Sequence, residues 1–111
     1  MALQRGLFNI TTATTTTLMS KDETLDNYNP GGYLTSMNIA NIHADNLVYV
    51  SLYLDDDTNQ TYIFKNHLLW PGERIFLERN EIVFDNYNLG FKLTTTATST
   101  SHDINVNVII R

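Results

Sequence analysis

Three consecutive aspartates, Asp55 to Asp57, are the residues of this sequence that most resemble a chemical site, because clustered carboxylates bind calcium. Together with Asn59 they resemble the opening of an EF-hand loop. That loop needs Gly at its sixth position and Glu at its twelfth, where this sequence has Gln60 and Asn66. We therefore predict an exposed, solvated hairpin tip that binds no metal tightly. A looser calcium site built with other loops stays open as the alternative.

No other group of residues has the spacing of a catalytic or metal site. His43, His67 and His102 lie far apart and form no HxH or HxxxH pair, as a zinc site would require. The chain has no Cys, and no serine lies in a Gly-x-Ser-x-Gly elbow. The GxxxxGK[ST] phosphate loop is absent as well. We expect a protein that is not an enzyme, with no catalytic residues, no cofactor and no metal. An enzyme with paired carboxylates that are remote in sequence stays open as an alternative, although no residue pattern nominates a pair.

The charge distribution argues against nucleic acid and membranes as partners. The formal net charge is −5, and the seven Lys and Arg residues are spread singly along the chain. A nucleic-acid surface needs a basic stripe, and a charged membrane surface attracts basic clusters. No stretch approaches the roughly 20 apolar residues of a spanning helix.

The elements that would position these residues are strands. Fifteen Thr and thirteen Asn in 111 residues favour strands and turns over helices. Alternating apolar residues separated by turn signals predict one antiparallel all-β domain, a β-sandwich or jelly roll of about eight strands. The predicted strands are 7–19, 33–42, 47–54, 60–69, 74–77, 81–84, 89–93 and 104–110. Their shared parity predicts a core of Val48, Val50, Leu52, Leu54, Phe91, Leu93, Val106 and Val108.

The N-terminal residues 1–19 form a Thr-rich strand or arm, and residues 20–111 form the sandwich. Residues 11–17 carry almost no apolar area, so burial within one small domain gives them little reason to stay ordered. We expect them to pair with a neighbouring subunit by strand addition, anchored by Phe8, Ile10 and Leu18.

Three aromatic side chains are further candidates for partner contact. Tyr49 and Tyr53 have the parity opposite to the Val and Leu face of their strand. Such rings stack on a partner subunit or on a sugar, or are covered within the chain. Trp70 precedes the Pro71-Gly72 turn, where we expect it to plug one end of the sandwich and include it among the contact candidates.

A series of segments carries a resemblance to a known family. They are Val-Tyr-Val-Ser-Leu-Tyr-Leu-Asp-Asp-Asp (48–57), Thr-Tyr-Ile-Phe-Lys-Asn (61–66), Trp-Pro-Gly-Glu-Arg-Ile-Phe-Leu (70–77), Phe-Asp (84–85), Gly-Phe-Lys-Leu (90–93) and Val-Asn-Val-Ile-Ile-Arg (106–111). This pattern resembles the small β-rich virion structural proteins of tailed bacteriophages, especially contractile-tailed phages of marine cyanobacteria. It covers residues 33–111 and the Thr-rich opening. Trp70 departs from the pattern, which has a smaller apolar residue there.

The resemblance implies a non-enzymatic virion subunit, made in the host cytoplasm and acting through protein–protein assembly. Such a subunit decorates the capsid or belongs to the neck or tail. Its partners are other virion proteins and further copies of itself, in a homo-oligomer such as a trimer. The alternative is a carbohydrate-binding β-sandwich module of a tail or baseplate appendage.

Overall fold

The computed structural model describes residues 6–20, 36–78 and 89–111. Within them the chain forms eight strands and no helix. The strands are β1 (Gly6–Ile10), β2 (Thr15–Met19), β3 (Ser36–Asn41), β4 (Val48–Asp55), β5 (Gln60–Leu69), β6 (Arg74–Glu78), β7 (Gly90–Ala97) and β8 (Val106–Ile110). The described residues therefore contain no helix that is long and apolar enough to cross a membrane.

The described strands form two four-stranded antiparallel sheets. Sheet A has the order β1-β8-β3-β6, and sheet B has the order β2-β7-β4-β5. The N-terminal strands β1 and β2 pair with β8 and β7, which pair in turn with β3 and β4. This is the double Greek-key arrangement of a jelly roll. The predicted all-β sandwich is confirmed.

The core lies between the two sheets and follows the predicted parity. Val50, Leu52, Phe91 and Leu93 of sheet B are fully buried, as are the β8 valines 106 and 108 of sheet A. In the register of β4 with β7, Leu52 is opposite Leu93 and Leu54 is opposite Phe91, so the apolar side chains of both strands lie on the same face of sheet B. Val48 is also fully buried, whereas Leu54 is only partly buried and packs at the margin of the core.

The N-terminal segment differs from the prediction of one strand over residues 7–19. It forms two strands, β1 in sheet A and β2 in sheet B, and residues 11–14 cross from one sheet to the other. Both strands pair within the chain, β1 with β8 and β2 with β7. These residues therefore belong to the sandwich rather than to a separate arm, and removing residues 1–17 would take away β1 and most of β2.

The predicted turn after β5 is present. Glu73 N donates to Trp70 O at 3.0 Å, and Gly72 has φ 85°, a conformation that the missing side chain of glycine permits. The turn is fastened to the end of β3, since Gly72 N donates to Asn41 O at 2.8 Å. Asn41 is itself buried, and its Nδ2 donates to Leu69 O at 3.0 Å.

Some predicted elements lie outside the described residues. They are the start of the predicted 33–42 strand, the whole 81–84 strand and the 85–88 turn.

Candidate interaction surfaces

The structure separates the predicted contact residues into buried and exposed sets. Ile10, Leu18 and Tyr53 are 6%, 8% and 4% exposed, so they offer almost no surface to a partner in this structure. Phe8 is partly buried and packs against the core. Tyr49 keeps 37% of its surface exposed and remains a contact candidate. The burial of Ile10 and Leu18 follows from the pairing of β1 and β2 within the chain.

Trp70 does not plug an end of the sandwich. It stands at the turn between β5 and β6 and is 59% exposed. Its backbone N donates to Glu73 Oε1 at 2.7 Å, which closes the turn without using the indole. The plug prediction is wrong because the turn is held by backbone and carboxylate hydrogen bonds, and the ring is left facing outward.

The outer face of sheet A carries a row of four residues, one from each strand. The registers Leu7↔Ile109, Asn38↔Ile109 and Asn38↔Phe76 place them side by side. Leu7 is 65% exposed and Phe76 is 50% exposed. With strands about 4.8 Å apart, the row is about 14 Å long. We call Leu7, Ile109, Asn38 and Phe76 the outer row.

A hollow of about 160 Å³ lies on the β3 and β6 side of the outer row. It is lined by Ser36, Asn38, Arg74, Phe76, Ile109 and Arg111. Arg74 and Arg111 are exposed, and neither guanidinium forms an ion pair with a carboxylate in the described parts of the chain. We call this feature the arginine hollow. A second hollow of about 280 Å³ lies at the other end of the row, between β1 and β8.

The amide of Asn38 is unsatisfied in the arginine hollow. Its Oδ1 is sheltered from solvent and has no hydrogen-bond partner. A buried acceptor without a donor costs about 1–3 kcal/mol. Such an atom in a hollow lined by two cations marks a place where a polar partner would improve the energy of the surface.

Of the three aspartates predicted to be exposed at the hairpin, Asp57 is exposed and Asp56 is half-buried, and the prediction is wrong for Asp55. This residue is only 9% exposed, and its Oδ2 lies 2.9 Å from Lys92 Nζ. Its Oδ1 accepts the backbone N–H of Asp57 at 2.8 Å. The hydrogen bond from Lys92 and that from the Asp57 backbone hold the pKa of Asp55 below its ordinary value. The same ion pair raises the pKa of Lys92.

The tip of the β4–β5 hairpin is built by its own carboxylates. Asp56 Oδ1 accepts the backbone N–H of Thr58 at 2.9 Å and that of Asn59 at 2.6 Å. Asp57 is exposed and adopts φ 77°, a left-handed conformation that Asp tolerates better than most residues. The carboxylates therefore shape a turn, which explains the Asp run without a metal.

Tyrosine rings and a polar hollow lie together at the same end of sheet B. Tyr53 and Tyr62 are opposite each other on β4 and β5, with ring centroids 5.1 Å apart. Lys65 Nζ lies 4.9 Å from the centroid of the Tyr62 ring, which is 38% exposed. Tyr53 is opposite Lys92 in register, and Lys92 lines a hollow of about 290 Å³. The other residues that line it are Thr17, Ser20, Asp55, Asp57 and Gly90.

His43 forms a polar cluster with Asp103 and Asn46 that joins the loop after β3 to the loop before β8. Its Nδ1 accepts the backbone N–H groups of Asp45 and Asn46 at 3.0 and 2.9 Å. Nε2 therefore carries the proton and donates to Asp103 Oδ1 at 3.0 Å. That hydrogen bond is the main cause of a lowered pKa of Asp103. Both ring nitrogens of His43 are therefore used in hydrogen bonds that hold the two loops together, and neither is available to a substrate.

The other histidines do not join this cluster. His67 lies on β5 against Phe64, with ring centroids 5.7 Å apart, and His102 Nδ1 lies 3.4 Å from the hydroxyl of Thr98. Among the described residues, no group of three or more His, Cys, Asp or Glu side chains could hold a metal ion.

Comparisons with known proteins give no family. No family model matches the chain, and no curated protein matches it. Among solved structures, the hydroxypropylphosphonic acid epoxidase from S. wedmorenis in complex with fosfomycin is 10% identical with a TM-score of 0.43. That match covers 95% of this chain and 42% of the epoxidase chain, so this chain spans less than half of its length.

A structure from a virus is also among the similar structures. The structure of infectious bursal disease virus Gt strain is 10% identical with a TM-score of 0.37, and the match covers 97% of this chain and 27% of that chain. Similarity at this level carries no argument about function.

Sequence reasoning missed the residues of the arginine hollow. Ile75 and Leu77 alternate inward on β6, so Arg74, Phe76 and Glu78 had to face outward. That parity was the available signal for Phe76. Arg74 on β6 and Arg111 after β8 line the same hollow because only β3 lies between β6 and β8. The order of the strands in the sheet cannot be read from the sequence.

Proposed function

We propose that this protein is a non-enzymatic structural subunit of a virus particle, acting through protein–protein assembly, as a capsid decoration or neck or tail accessory subunit. The observation that carries the proposal is the outer row of sheet A. Leu7 and Phe76 expose 65% and 50% of their surface on one sheet face, although the core buries many other large apolar side chains. Half-buried Ile109 and polar Asn38 lie between them, so the row presents exposed apolar side chains at both ends and an amide within it. Exposed apolar surface bordered by polar groups marks protein contact sites.

Two further considerations support the same proposal. The sequence segments of β4, β5, β7 and β8 resemble tailed-phage virion proteins, and jelly rolls are common in viral capsids. Fold alone does not assign function, so these considerations add to the surface argument without replacing it. The partners are other virion proteins and further copies of this chain.

Self-association tests the proposal most directly. Sedimentation equilibrium of the full chain should show a concentration-dependent oligomer, and a Leu7→Ser/Phe76→Ser variant should remain monomeric. Ile63→Ser is the matched control, because Ile63 is 37% exposed on sheet B. Particles purified from the virus that carries the gene should contain the chain in fixed stoichiometry. A chain that is absent from such particles and monomeric at high concentration would refute the proposal.

Carbohydrate binding is the second candidate function, and the end of sheet B favours it. The exposed Tyr62 ring and the 290 Å³ hollow lined by Asp55 and Lys92 lie at the same end of sheet B, and sugars are bound by aromatic faces next to polar side chains. A glycan array separates the two functions. Binding that is lost in Tyr62→Ala and kept in Leu7→Ser/Phe76→Ser would favour the sugar-binding module.

A further inference from the structure

We propose that the arginine hollow of one copy receives the acidic β4–β5 tip, residues 55–59, of a second copy. This inference rests on the proposed assembly function and names the partner of the same face of sheet A. The proposed contact is heterologous, because one copy contributes the hollow and the other contributes the tip, which are different parts of the surface.

Charge complementarity supplies the first argument. Arg74 and Arg111 are the only arginines in the described residues, and both line one hollow. The largest run of carboxylates in the described residues is Asp55 to Asp57, at the hairpin tip. No ion pair between described residues joins the two features within one chain. In a chain of net charge −5, the hollow is therefore a local cationic site that a carboxylate of another copy can enter.

The size of the hollow supplies the second argument. Its volume of about 160 Å³ is below the roughly 300–1,000 Å³ of sites that enclose a whole small molecule. It suits one protruding polar side chain or turn. The tip protrudes in this way, because Asp57, Thr58 and Asn59 are all exposed.

The unsatisfied amide supplies the third argument. Asn38 Oδ1 needs a donor, and the tip carries two exposed donors, the Thr58 hydroxyl and the Asn59 amide. Asn38 lines the hollow, so the donors of an entering tip would lie next to its amide.

The geometry has a consequence for the assembly. A heterologous contact generates a ring where the rotation closes, and an open filament where it does not. An isologous pairing of two sheet A faces would instead stop at a dimer. The copy number therefore distinguishes tip-in-hollow contact from face-to-face contact.

Charge reversal in two separate chains tests the proposal. Arg74→Glu/Arg111→Glu reverses the charge of the hollow. Asp57→Lys/Thr58→Lys reverses the charge at the exposed end of the tip and keeps Asp56, whose carboxylate holds the turn. Each variant alone should lose self-association at least tenfold by sedimentation equilibrium. Mixed in equal amounts they should associate again, because each variant then offers the charge that the other needs. Lys65→Glu, which reverses an exposed cation of sheet B, is the matched control and should associate as the wild type does.

The outcomes separate this inference from the function on which it rests. Thermal unfolding of each variant alone establishes that it is folded, and Arg74→Gln/Arg111→Gln replaces the reversed hollow if that variant does not fold. Association of the wild type together with unchanged association of the hollow variants overturns the tip-in-hollow contact and leaves the proposed function standing. A wild type that is monomeric and absent from particles overturns both. Failure of the mixture to associate overturns the pairing of hollow with tip.

Discussion

The ammonium of Lys92 lies 2.9 Å from the carboxylate of Asp55, and the pair joins β7 to β4, the two central strands of sheet B. The Lys92 side chain is 28% exposed and that of Asp55 is 12% exposed. The pair therefore sits at the margin between solvent and the packed sheet. Its hydrogen bonds lower the pKa of Asp55 and raise that of Lys92.

These shifts predict how Lys92→Met changes the pH dependence of stability. Because the pKa of Asp55 is lowered, this carboxylate stabilises the fold at pH values above its ordinary pKa of 3.8. That stabilisation is lost as the pH falls through the folded-state pKa. The raised pKa of Lys92 means that its contribution is present below 10.5 and is lost as pH rises through the folded-state pKa. The difference in free energy of unfolding between wild type and variant should be greatest between these limits.

Urea unfolding at a series of pH values measures this difference. Lys65→Met is the control, because Lys65 contacts the Tyr62 ring and forms no ion pair with a carboxylate of the described residues. A difference that stays constant from acid to alkaline pH would show that the Asp55 pair adds nothing to folding.

Substitutions of His43 should separate its two roles. His43→Asn keeps an acceptor near the Nδ1 position for the backbone N–H groups of Asp45 and Asn46, and it loses the bond to Asp103. His43→Gln keeps a donor for Asp103 and loses that acceptor. We expect Gln to cost about 1–2 kcal/mol more than Asn, since it leaves backbone donors unsatisfied. Thermal unfolding at neutral pH measures both, and equal losses would place the stabilising contact elsewhere.

The turn at Gly72 predicts a purely conformational cost. Gly72 has φ 85°, and no atom lies within 4 Å of the position that a Cβ would take. Gly72→Ala should destabilise by about 1–2 kcal/mol through backbone strain alone. Gly72→Asn should cost less, because Asn tolerates this region. Thermal unfolding measures both variants. If both had the melting temperature of the wild type, the turn would be able to adopt another conformation without loss of stability.

Neighbouring residues of β4 test the core parity. Val50 is fully buried, whereas Tyr49 is 37% exposed on the opposite face. Val50→Asp buries an unpaired charge and should cost about 3–5 kcal/mol, a large part of the total stability of a domain this size. Tyr49→Asp is the matched control and should cost far less. The midpoint of urea unfolding compares them, and similar losses would mean that the register is shifted.

The sequence predicted the sandwich because strand parity is a local property. Val48 to Leu54 alternate without interruption, and one buried face follows from that alternation alone. The Trp70 to Glu73 turn was also predictable, since Pro and Gly restrict the backbone locally. The division of residues 7–19 was not, because the Thr run gives no local signal for the crossing at residues 11–14.

The candidate sites could not be predicted from the sequence, because they are formed by residues that are far apart in the chain. The Asp run at residues 55–57 looked like a solvated tip, and only the position of Lys92 on the neighbouring strand shows that Asp55 is paired. The same holds for Leu7 and Phe76, which are aligned through β8 and β3. Sequence gives the face on which a side chain lies but not the order of the strands.

The pairing of β1 with β8 determines when this protein can finish folding. Gly6 is opposite Ile110, so β1 can find its partner only when β8, the last of the described strands, has been synthesised. Until then the edge of β1 stays open on the nascent chain, where other polypeptides can pair with it. Contacts so distant in sequence are slow to form, because loop closure must come before the favourable contacts. We therefore expect slow folding that is limited by the closure of the β1–β8 pair.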